Sequence, residues 1–500
     1  MLPSPAPRFA GPPTDTVRGW VVTGVITLLA AITRFVTLRT PTDGGTPVFD
    51  EKHYVPQAFQ DLLNGGLEDN PGYELVVHPP VAKQLMALSE WAFGYNGFGW
   101  RFPSAVLGVL IVALLVRMVR RMTGSTMIGA IAGILATCDG VLFLQSRMGM
   151  LDIFLTFFVV AALACLLVDR DQVRARTAVV LAQGRVEDTP FGPRYGVRWW
   201  RFGAGVMLGL ACGTKWNGVF FVAAFGLLSV GFDLVARRGA GVRRPWLGTL
   251  RRDVGPALYA LVVVPLLVYL ATFWAWFASE TGIDRWAVGR QVGNGGTYSF
   301  VPDALRSLWY YSAHVLSFHE HLDTPVGSPH PYESKPWTWP MGMRPMLYYF
   351  ANSEQVEGCG QSRCVSATML VGTPAMWWLA FPVLGWALWR TVFHRDWRYT
   401  VALVGYGTAF LPWFTNLDRQ MYFFYATVMA PFLVMAIALV LGDVLGRARA
   451  GTERRTTGLL VVCLYLGLVV ANFVWLWPIL IGAPITDAHW QAELWLPSWR

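Results

Sequence analysis

Two adjacent carboxylates, Asp50 and Glu51, follow an apolar run at residues 20–38 and open the long loop 39–100. Carboxylates held at a membrane surface suit proton removal during chemistry on a lipid-borne substrate. On residue type alone, metal binding and proton transfer are equally open for this pair. Which of the two applies depends on where the rest of the chain places them.

The composition is that of a membrane protein. Of 500 residues, 54% are hydrophobic and 14% are charged, the mean hydropathy is +0.42, and a soluble domain carries about 25% charged residues. The net charge of +9 would also fit nucleic-acid binding. The Arg clusters, however, lie in short loops between apolar runs, where the positive-inside rule expects them. We therefore predict an all-α protein that crosses the membrane several times.

Eleven apolar runs are candidates for transmembrane helices, since a span needs about 20 residues. They lie at residues 20–38, 102–119, 124–144, 150–168, 202–214, 217–235, 255–277, 369–389, 400–415, 421–441 and 457–480.

Arginine placement predicts the orientation, because the Arg-rich loops all fall on one side if there are eleven crossings. This predicts a disordered cytoplasmic tail at residues 1–19 and a transmembrane catalytic domain at residues 20–480. The outer loops would be 39–100 and 278–368, and the extracytoplasmic C-terminal tail would be 481–500. Within the first outer loop, residues 52–63 and 81–93 have the spacing of amphipathic helices that lie along the interface.

Ionisable residues also recur in the predicted short outer turns. Cations beside the carboxylate pair would suit an anionic headgroup, although a snorkelling flank explains any one of them. Lys83 lies about one turn into the helix after His78-Pro79-Pro80, where it could face a phosphate or simply anchor the helix at the interface. The turn residues are Arg101, Arg147, Asp152, Lys215, Asp418 and Arg419.

Cys359 and Cys364 lie in a polar, Gly-rich stretch, unlike the other four cysteines, which lie in apolar runs. Their spacing fits a small disulfide loop in an oxidising compartment, with two free thiols as the alternative. Four histidines within residues 314–330, with Glu320 and Asp323, have no standard metal-site spacing. Polar contacts within the loop or hydrogen bonds to a substrate are the other interpretations of these histidines, and we predict no metal site.

Six segments of the chain resemble the protein O-mannosyltransferase family, specifically its actinobacterial members. The first is Phe49-Asp50-Glu51-Lys52-His53-Tyr54, and together the six are distributed over nearly the whole chain. The others are residues 78–83, 100–104, 146–152, 334–340 and 418–425.

The resemblance implies a glycosyltransferase of the C-type fold in the cell membrane, with its site on the outer face. Members take mannose from polyprenyl-phosphate mannose and transfer it, with inversion, to Ser or Thr of exported proteins, which are often threaded through the Sec machinery. No cofactor is expected beyond this lipid-linked donor. Eukaryotic members carry a β-trefoil domain in the large outer loop, for which residues 278–368 are too few.

The resemblance also assigns roles at the predicted site. Asp50 becomes the general base, and Glu51 positions the acceptor peptide or a cation. Asp152 either pairs with a local Arg or binds the sugar. The predicted ligands of the donor phosphate are Arg101, Arg147, Lys215, Arg344, Arg419 and Lys83, and the candidates for sugar or acceptor contact are Asp152, His78, His53, Trp337 and Trp339.

Two other functions stay open at this point. Lipid A aminoarabinose transferases also carry an Asp-Glu pair after the first span, but they usually present a lysine where this chain has His78. A lipid or sugar transporter often shows internal repeats and buried charges near the middle of the membrane. This chain shows no evident repeat, and its acids cluster at one face.

Overall fold

The computed structural model describes residues 17–325, 327–352, 354–446 and 451–500. The first helix, α1, spans Val17–Phe35. Residues 1–16 of the predicted cytoplasmic tail therefore lie outside the described residues.

The two segments predicted as amphipathic helices are helical. They form α2, Glu51–Leu63, and α3, Val81–Phe93. Each buries one face of its helix against the rest of the protein. That they lie along a membrane interface stays a prediction.

A series of apolar helices follows. The first of them, α4, is capped at its start by Asn96, whose side chain accepts hydrogen bonds from the backbone N–H groups of Phe98 and Gly99. Gly124, in the left-handed conformation, follows its last residue. Both features are typical helix caps. The helices are α4 (Gly97–Thr123), α5 (Thr126–Thr137), α6 (Gly140–Gln145), α7 (Leu151–Ala182), α8 (Trp199–Cys212), α9 (Gly218–Gly239), α10 (Pro245–Thr272) and α11 (Trp274–Ala278).

The C-terminal half adds seven α-helices and several short 3₁₀ turns. The α-helices are α12 (Asp303–Glu320), α13 (Pro374–Trp377), α14 (Ala380–His394), α15 (Trp397–Phe410), α16 (Ala430–Leu445), α17 (Glu453–Ile481) and α18 (Asp487–Glu493). The 3₁₀ turns of the chain are Arg185–Asp188, Pro336–Met341, Leu411–Phe414, Phe423–Met429 and Pro497–Trp499.

Each of the eleven predicted spans overlaps a helix, but seven of the described helices are long and apolar enough to cross a membrane. The helices at four predicted spans are shorter. Fifteen residues extend about 22 Å along a helix, less than the roughly 30 Å of a bilayer core. The count of eleven and the orientation therefore stay predictions. The four shorter helices are Thr126–Thr137, Trp199–Cys212, Ala380–His394 and Trp397–Phe410.

A small sheet of three short strands accompanies the helices of this mostly helical protein. Strands β1 (Met346–Ala351), β2 (Cys364–Leu370) and β3 (Ile485–Thr486) pair antiparallel in the order β1-β2-β3. The sequence does not predict this hairpin, because β2 runs directly into the apolar stretch 369–389, whose length and hydrophobicity indicate a transmembrane helix. A bulge interrupts the β1–β2 register between Leu347 and Tyr349.

The disulfide candidates close the connection between these strands, where the sulfurs of Cys359 and Cys364 are bonded at 1.98 Å. Because β3 pairs with β2, the C-terminal segment packs back onto the hairpin, and Trp499 is 1% exposed.

Close packing between α8 and α10 shows how the helices fit. Within α10, residues Tyr259–Val263 form a π-helical segment. A Cβ at Gly205 of α8 would lie 1.8 Å from the backbone oxygen of Ala260, so only glycine fits at this crossing. Small residues serve the same purpose at helix crossings in membrane proteins generally.

Candidate active site

Asp50 immediately precedes α2, where it occupies the N-cap position without capping the helix. Its carboxylate is half-buried, and among the described residues no hydrogen bond or ion pair reaches it. Burial raises the pKa of Asp50 to about 6, while the nearby positive charges of Lys215 and His53 act to lower it. A carboxylate with a pKa just below neutrality and no fixed partner is suited to act as a general base.

Glu51 is different from its neighbour, because it is fully buried and its oxygens are engaged. Arg101 donates from Nε to Oε1 and from Nη2 to Oε2, both at 2.7 Å. The backbone N–H of Gly149 donates to Oε1 at 2.6 Å, and that of Val48 donates to Oε2 at 3.3 Å. Glu51 thus positions a cation, the Arg101 guanidinium, and joins α2, α4 and the loop before α7. Its contact with an acceptor peptide stays a prediction.

Arg101 is likewise placed inside the protein and not at an open site. Its guanidinium is 0% exposed. It donates to Glu51 and to the backbone carbonyls of Leu38 and Pro41. The predicted phosphate contact of Arg101 is therefore replaced by a link between Glu51 and the chain that leaves α1.

Three further predicted phosphate ligands also have protein partners. Arg147 is buried and donates to backbone carbonyls at the C-terminal end of α1, among them that of Arg34 at 2.8 Å. Carbonyls at a helix end have no partner within the helix, so a cation is well placed there. Arg344 donates to carbonyls of Pro331 and of the C-terminal segment. Lys83 is buried and donates to the backbone oxygen of His78 at 3.0 Å.

Lys215 and Asp152 form a buried ion pair near Asp50. The Lys215 ammonium lies 2.9 Å from both carboxylate oxygens of Asp152. It also lies 5.6 Å from the ring centre of Tyr425. An ammonium has three donors. Asp152 occupies two of them, and no other hydrogen bond of the Lys215 ammonium occurs among the described residues, so the third is left for another partner.

Arg419 approaches the same aromatic ring, with its guanidinium 5.5 Å from the ring centre of Tyr425. The Tyr425 ring stacks on Trp413 at 4.3 Å. One nitrogen of Arg419, Nη2, lies 3.4 Å from Nδ1 of His319, and Nε is buried with no hydrogen-bond partner among the described residues. Lys215 and Arg419 are thus the two predicted phosphate ligands that the structure brings together.

Two histidines line this region next to the cations. His319 Nε2 lies 3.2 Å from the backbone oxygen of Val77, and its ring stacks on that of His78 at 5.3 Å. Burial, followed by Arg419, lowers the pKa of His319 to about 4. Burial, followed by Lys215, holds the pKa of His78 well below its usual value. Both rings are therefore neutral at physiological pH. The third histidine predicted at the site or noted near it, His53, lies on the surface and is exposed.

The two predicted tryptophan contacts have opposite environments. Trp337 is 55% exposed and available to a ligand. Trp339 is 0% exposed, and its Nε1 donates to Ser334 at 2.9 Å while its ring packs on Trp413 and Tyr425. Trp339 therefore supports the Tyr425–Trp413 stack from inside the protein and is not placed to touch sugar or acceptor.

Sequence reasoning missed several residues that shape the site. Lys335 donates to the backbone oxygens of Leu417 and Arg419 and so fixes the turn that carries Arg419. His319 was noticed only as one of four clustered histidines. Its proximity to Arg419, about a hundred residues away, has no local sequence signal. No group of three or more His, Cys, Asp or Glu side chains that could hold a metal ion occurs within the described part of the chain.

The fold matches solved glycosyltransferase structures. The S. cerevisiae protein O-mannosyltransferase Pmt1–Pmt2 complex bound to the sugar donor aligns with a TM-score of 0.76 at 16% identity, over 99% of this chain and 94% of that chain. ArnT from Cupriavidus metallidurans bound to undecaprenyl phosphate aligns with a TM-score of 0.51 at 16% identity, over 93% and 77%. At these identities the likeness establishes the fold alone, which is that of a C-type integral membrane glycosyltransferase.

The family follows from sequence comparison. The family model described as dolichyl-phosphate-mannose-protein mannosyltransferase matches residues 96–279. The one described as the C-terminal four TMM region of protein-O-mannosyltransferase matches residues 304–499.

Among curated relatives, the polyprenol-phosphate-mannose–protein mannosyltransferase of Mycobacterium tuberculosis is 62% identical over 488 residues, covering 98% of this chain and 93% of that protein. The protein of the same name from Corynebacterium glutamicum is 45% identical over 507 residues, covering 100% and 96%. The chain belongs to the protein O-mannosyltransferase family, which confirms the resemblance.

Removing Arg101 should destabilise the protein strongly, because Glu51 would be left as a buried carboxylate without its cation. Breaking a buried pair in this way costs about 3–5 kcal/mol. We expect Arg101→Met to lower the midpoint of thermal unfolding in detergent. The matched control is Lys52→Met, which removes the Lys52–Asp43 pair at 3.6 Å, with side chains 57% and 66% exposed. An exposed pair contributes about 0–1 kcal/mol, so equal midpoints for the two variants would contradict the assignment.

Proposed function

We propose that this protein transfers mannose from polyprenyl-phosphate mannose to Ser or Thr hydroxyls of exported proteins at the outer face of the membrane. The proposal is supported by family membership and by one observation in the site. The Asp50 carboxylate has no partner among the described residues, and its pKa is affected by the charge of Lys215, one of two cations that flank Tyr425. The link to the Sec machinery and the absence of a cofactor stay predictions from the resemblance.

In the proposed reaction, Asp50 accepts the proton of the acceptor hydroxyl as its oxygen attacks the anomeric carbon. The bond from this carbon to the phosphate oxygen breaks on the opposite side, so the sugar configuration inverts. General-base assistance of this kind contributes about 10²–10⁴-fold in rate. The products are the mannosylated acceptor and polyprenyl phosphate, and the proton of the acceptor hydroxyl is on Asp50.

The leaving phosphate gains one negative charge as the bond breaks, so cations at the site favour the transition state over the ground state. We assign this role to the free donor of Lys215 and to Arg419, whose buried Nε lacks a partner among the described residues. Asp152 holds Lys215 in place, and His319 and Lys335 hold Arg419. His78, His53 and Trp337 stay candidates for contact with sugar or acceptor.

The first test is the reaction itself with the purified full-length chain. Polyprenyl-phosphate mannose and a Thr-containing peptide should yield a peptide heavier by one hexose, with the anomeric configuration opposite to that of the donor. A matched peptide with Thr replaced by Ala should gain nothing. A product with retained configuration, or transfer to a lipid acceptor in place of the peptide, would contradict the proposal.

The pH dependence of the reaction should report Asp50. Because the pKa of Asp50 is raised to about 6 by burial, the base is protonated and inactive below that pH. We expect kcat/KM to fall tenfold per pH unit below about pH 6 and to level off above it. The groups that act on this carboxylate are Lys215, His53 and Asp152. An acidic limb near pH 4, or no acidic limb, would contradict the assignment of the base.

Removing Arg419 should weaken use of the donor more than use of the peptide. A hydrogen bond to a charged group contributes about 1.5–3 kcal/mol, so Arg419→Ala should lower kcat/KM for the donor by about 10–100-fold. The control is Arg290→Ala, which removes an exposed arginine from a loop between α11 and α12. Unchanged donor saturation in Arg419→Ala would rule out its role as a phosphate ligand.

A further inference from the structure

The residue before the proposed base has an unusual backbone conformation. Phe49 has φ of 51°, in the left-handed region that residues other than glycine rarely adopt. For a non-glycine residue this conformation costs roughly 1–2 kcal/mol. Neighbouring contacts must therefore hold Phe49 in place, and strained backbone of this kind concentrates at functional sites.

The ring of Phe49 stacks on the ring of Tyr348. The two ring centres lie 4.4 Å apart with an angle of 12° between the planes. Phe424 packs edge-on against Phe49, with the two ring centres 5.9 Å apart. Phe49 is thus held on two sides by rings from β1 and from the 3₁₀ turn Phe423–Met429.

Tyr348 is itself fixed from two directions. It lies at the bulge of β1, where the register with β2 shifts between Leu347 and Tyr349. Bulges often redirect a side chain next to an active site. The hydroxyl of Tyr348 accepts a hydrogen bond from Gln145 at the end of α6, at 2.9 Å, and the side chain is 5% exposed.

Asp50 therefore lies between two anchors of different chemistry. On one side, Glu51 is fixed by Arg101 and Gly149. On the other, Phe49 is fixed by Tyr348. The Asp50 carboxylate has no partner of its own among the described residues, so the backbone on either side is what determines its position.

We propose that Tyr348 is a positioning residue, which through its stack on Phe49 holds Asp50 where the proton of the acceptor hydroxyl is removed. The inference rests on the proposed function, in which Asp50 is the base. Misplacing a reacting group by about 1 Å can cost about 10²-fold in rate. The stack therefore sets the rate of the chemical step more than the affinity for the donor.

The test compares four single variants of the full-length protein, and the double variant of Phe49 and Tyr348, in the peptide transfer assay. Tyr348→Leu removes the ring, and Phe49→Leu removes its partner. Tyr348→Phe keeps the stack and loses only the hydroxyl. Tyr349→Leu is the control in the neighbouring residue of β1, half-buried and without a ring contact among the described residues.

We expect Tyr348→Leu to lower kcat by about 10–100-fold with the donor KM within about twofold, and Tyr348→Phe to restore most of the rate. Tyr349→Leu should behave like the unmodified protein. Because Phe49 and Tyr348 act as one unit, the double variant should be no slower than the slower single variant. If Tyr348→Leu does not fold, Phe49→Leu carries the same expectation.

The fall of the rate at acidic pH, the acidic limb of the profile, distinguishes loss of positioning from loss of folded protein. Loosening the stack admits water to Asp50, so the limb should move to lower pH in Tyr348→Leu and in Phe49→Leu. Folded variants with unchanged kcat and an unchanged limb would overturn the inference, as would a loss confined to the yield of folded protein.

Asp50→Asn, measured alongside, distinguishes the two claims. If it is inactive while both ring variants keep the full rate, only the positioning role fails. If Asp50→Asn keeps transferring, the proposed base fails.

Discussion

The buried ion pair between Glu51 and Arg101 is the constraint on which the site depends. A carboxylate with no exposed surface stays charged only if it is paired and hydrogen-bonded, and Glu51 is held by two bonds from Arg101 and two from backbone N–H groups. Those bonds join the loop after α1 to α4 and to the turn before α7. They fix the start of α2, and with it the residue that precedes Glu51.

This constraint divides two acids that look equivalent in the sequence. Neighbouring residues at the start of a helix point about 100° apart, so Glu51 can be fully buried while Asp50 stays half-buried, where the charge of Lys215 acts on it. Burial raises the pKa of Asp50, whose carboxylate has no fixed partner within the described ranges. The same division applies to the cations. Arg101 and Arg147 donate to groups within the protein, whereas Lys215 and Arg419 each keep a donor without a partner in the part of the chain that the structure describes.

Much of this arrangement could be predicted from sequence, but not which ionisable residues pair within the protein and which stay available to a ligand. Apolar runs placed helices at all eleven predicted spans, because hydrophobic length is a local signal. The family segments predicted Asp50 and Arg419 as site residues, because each lies in a segment with its own family signature. Lys215 was predicted only as an ionisable residue in an outer turn. Whether Arg101 binds a phosphate or pairs with Glu51 depends on a contact between residues fifty positions apart. Trp337 and Trp339 are two residues apart, and which of them is buried depends on packing that the local sequence does not show. The β1 bulge that delivers Tyr348 likewise arises from strand pairing, which no local pattern shows.

The central claim is that Asp50 performs the proton transfer and does not hold the donor. The most direct measurement loads Asp50→Asn with labelled polyprenyl-phosphate mannose, quantifies the bound donor, and then follows a single turnover after a Thr peptide is added. The account predicts donor binding close to that of the unmodified protein and a single-turnover rate lower by at least about 10²-fold. Loss of donor binding, or transfer at the unmodified rate, would contradict it.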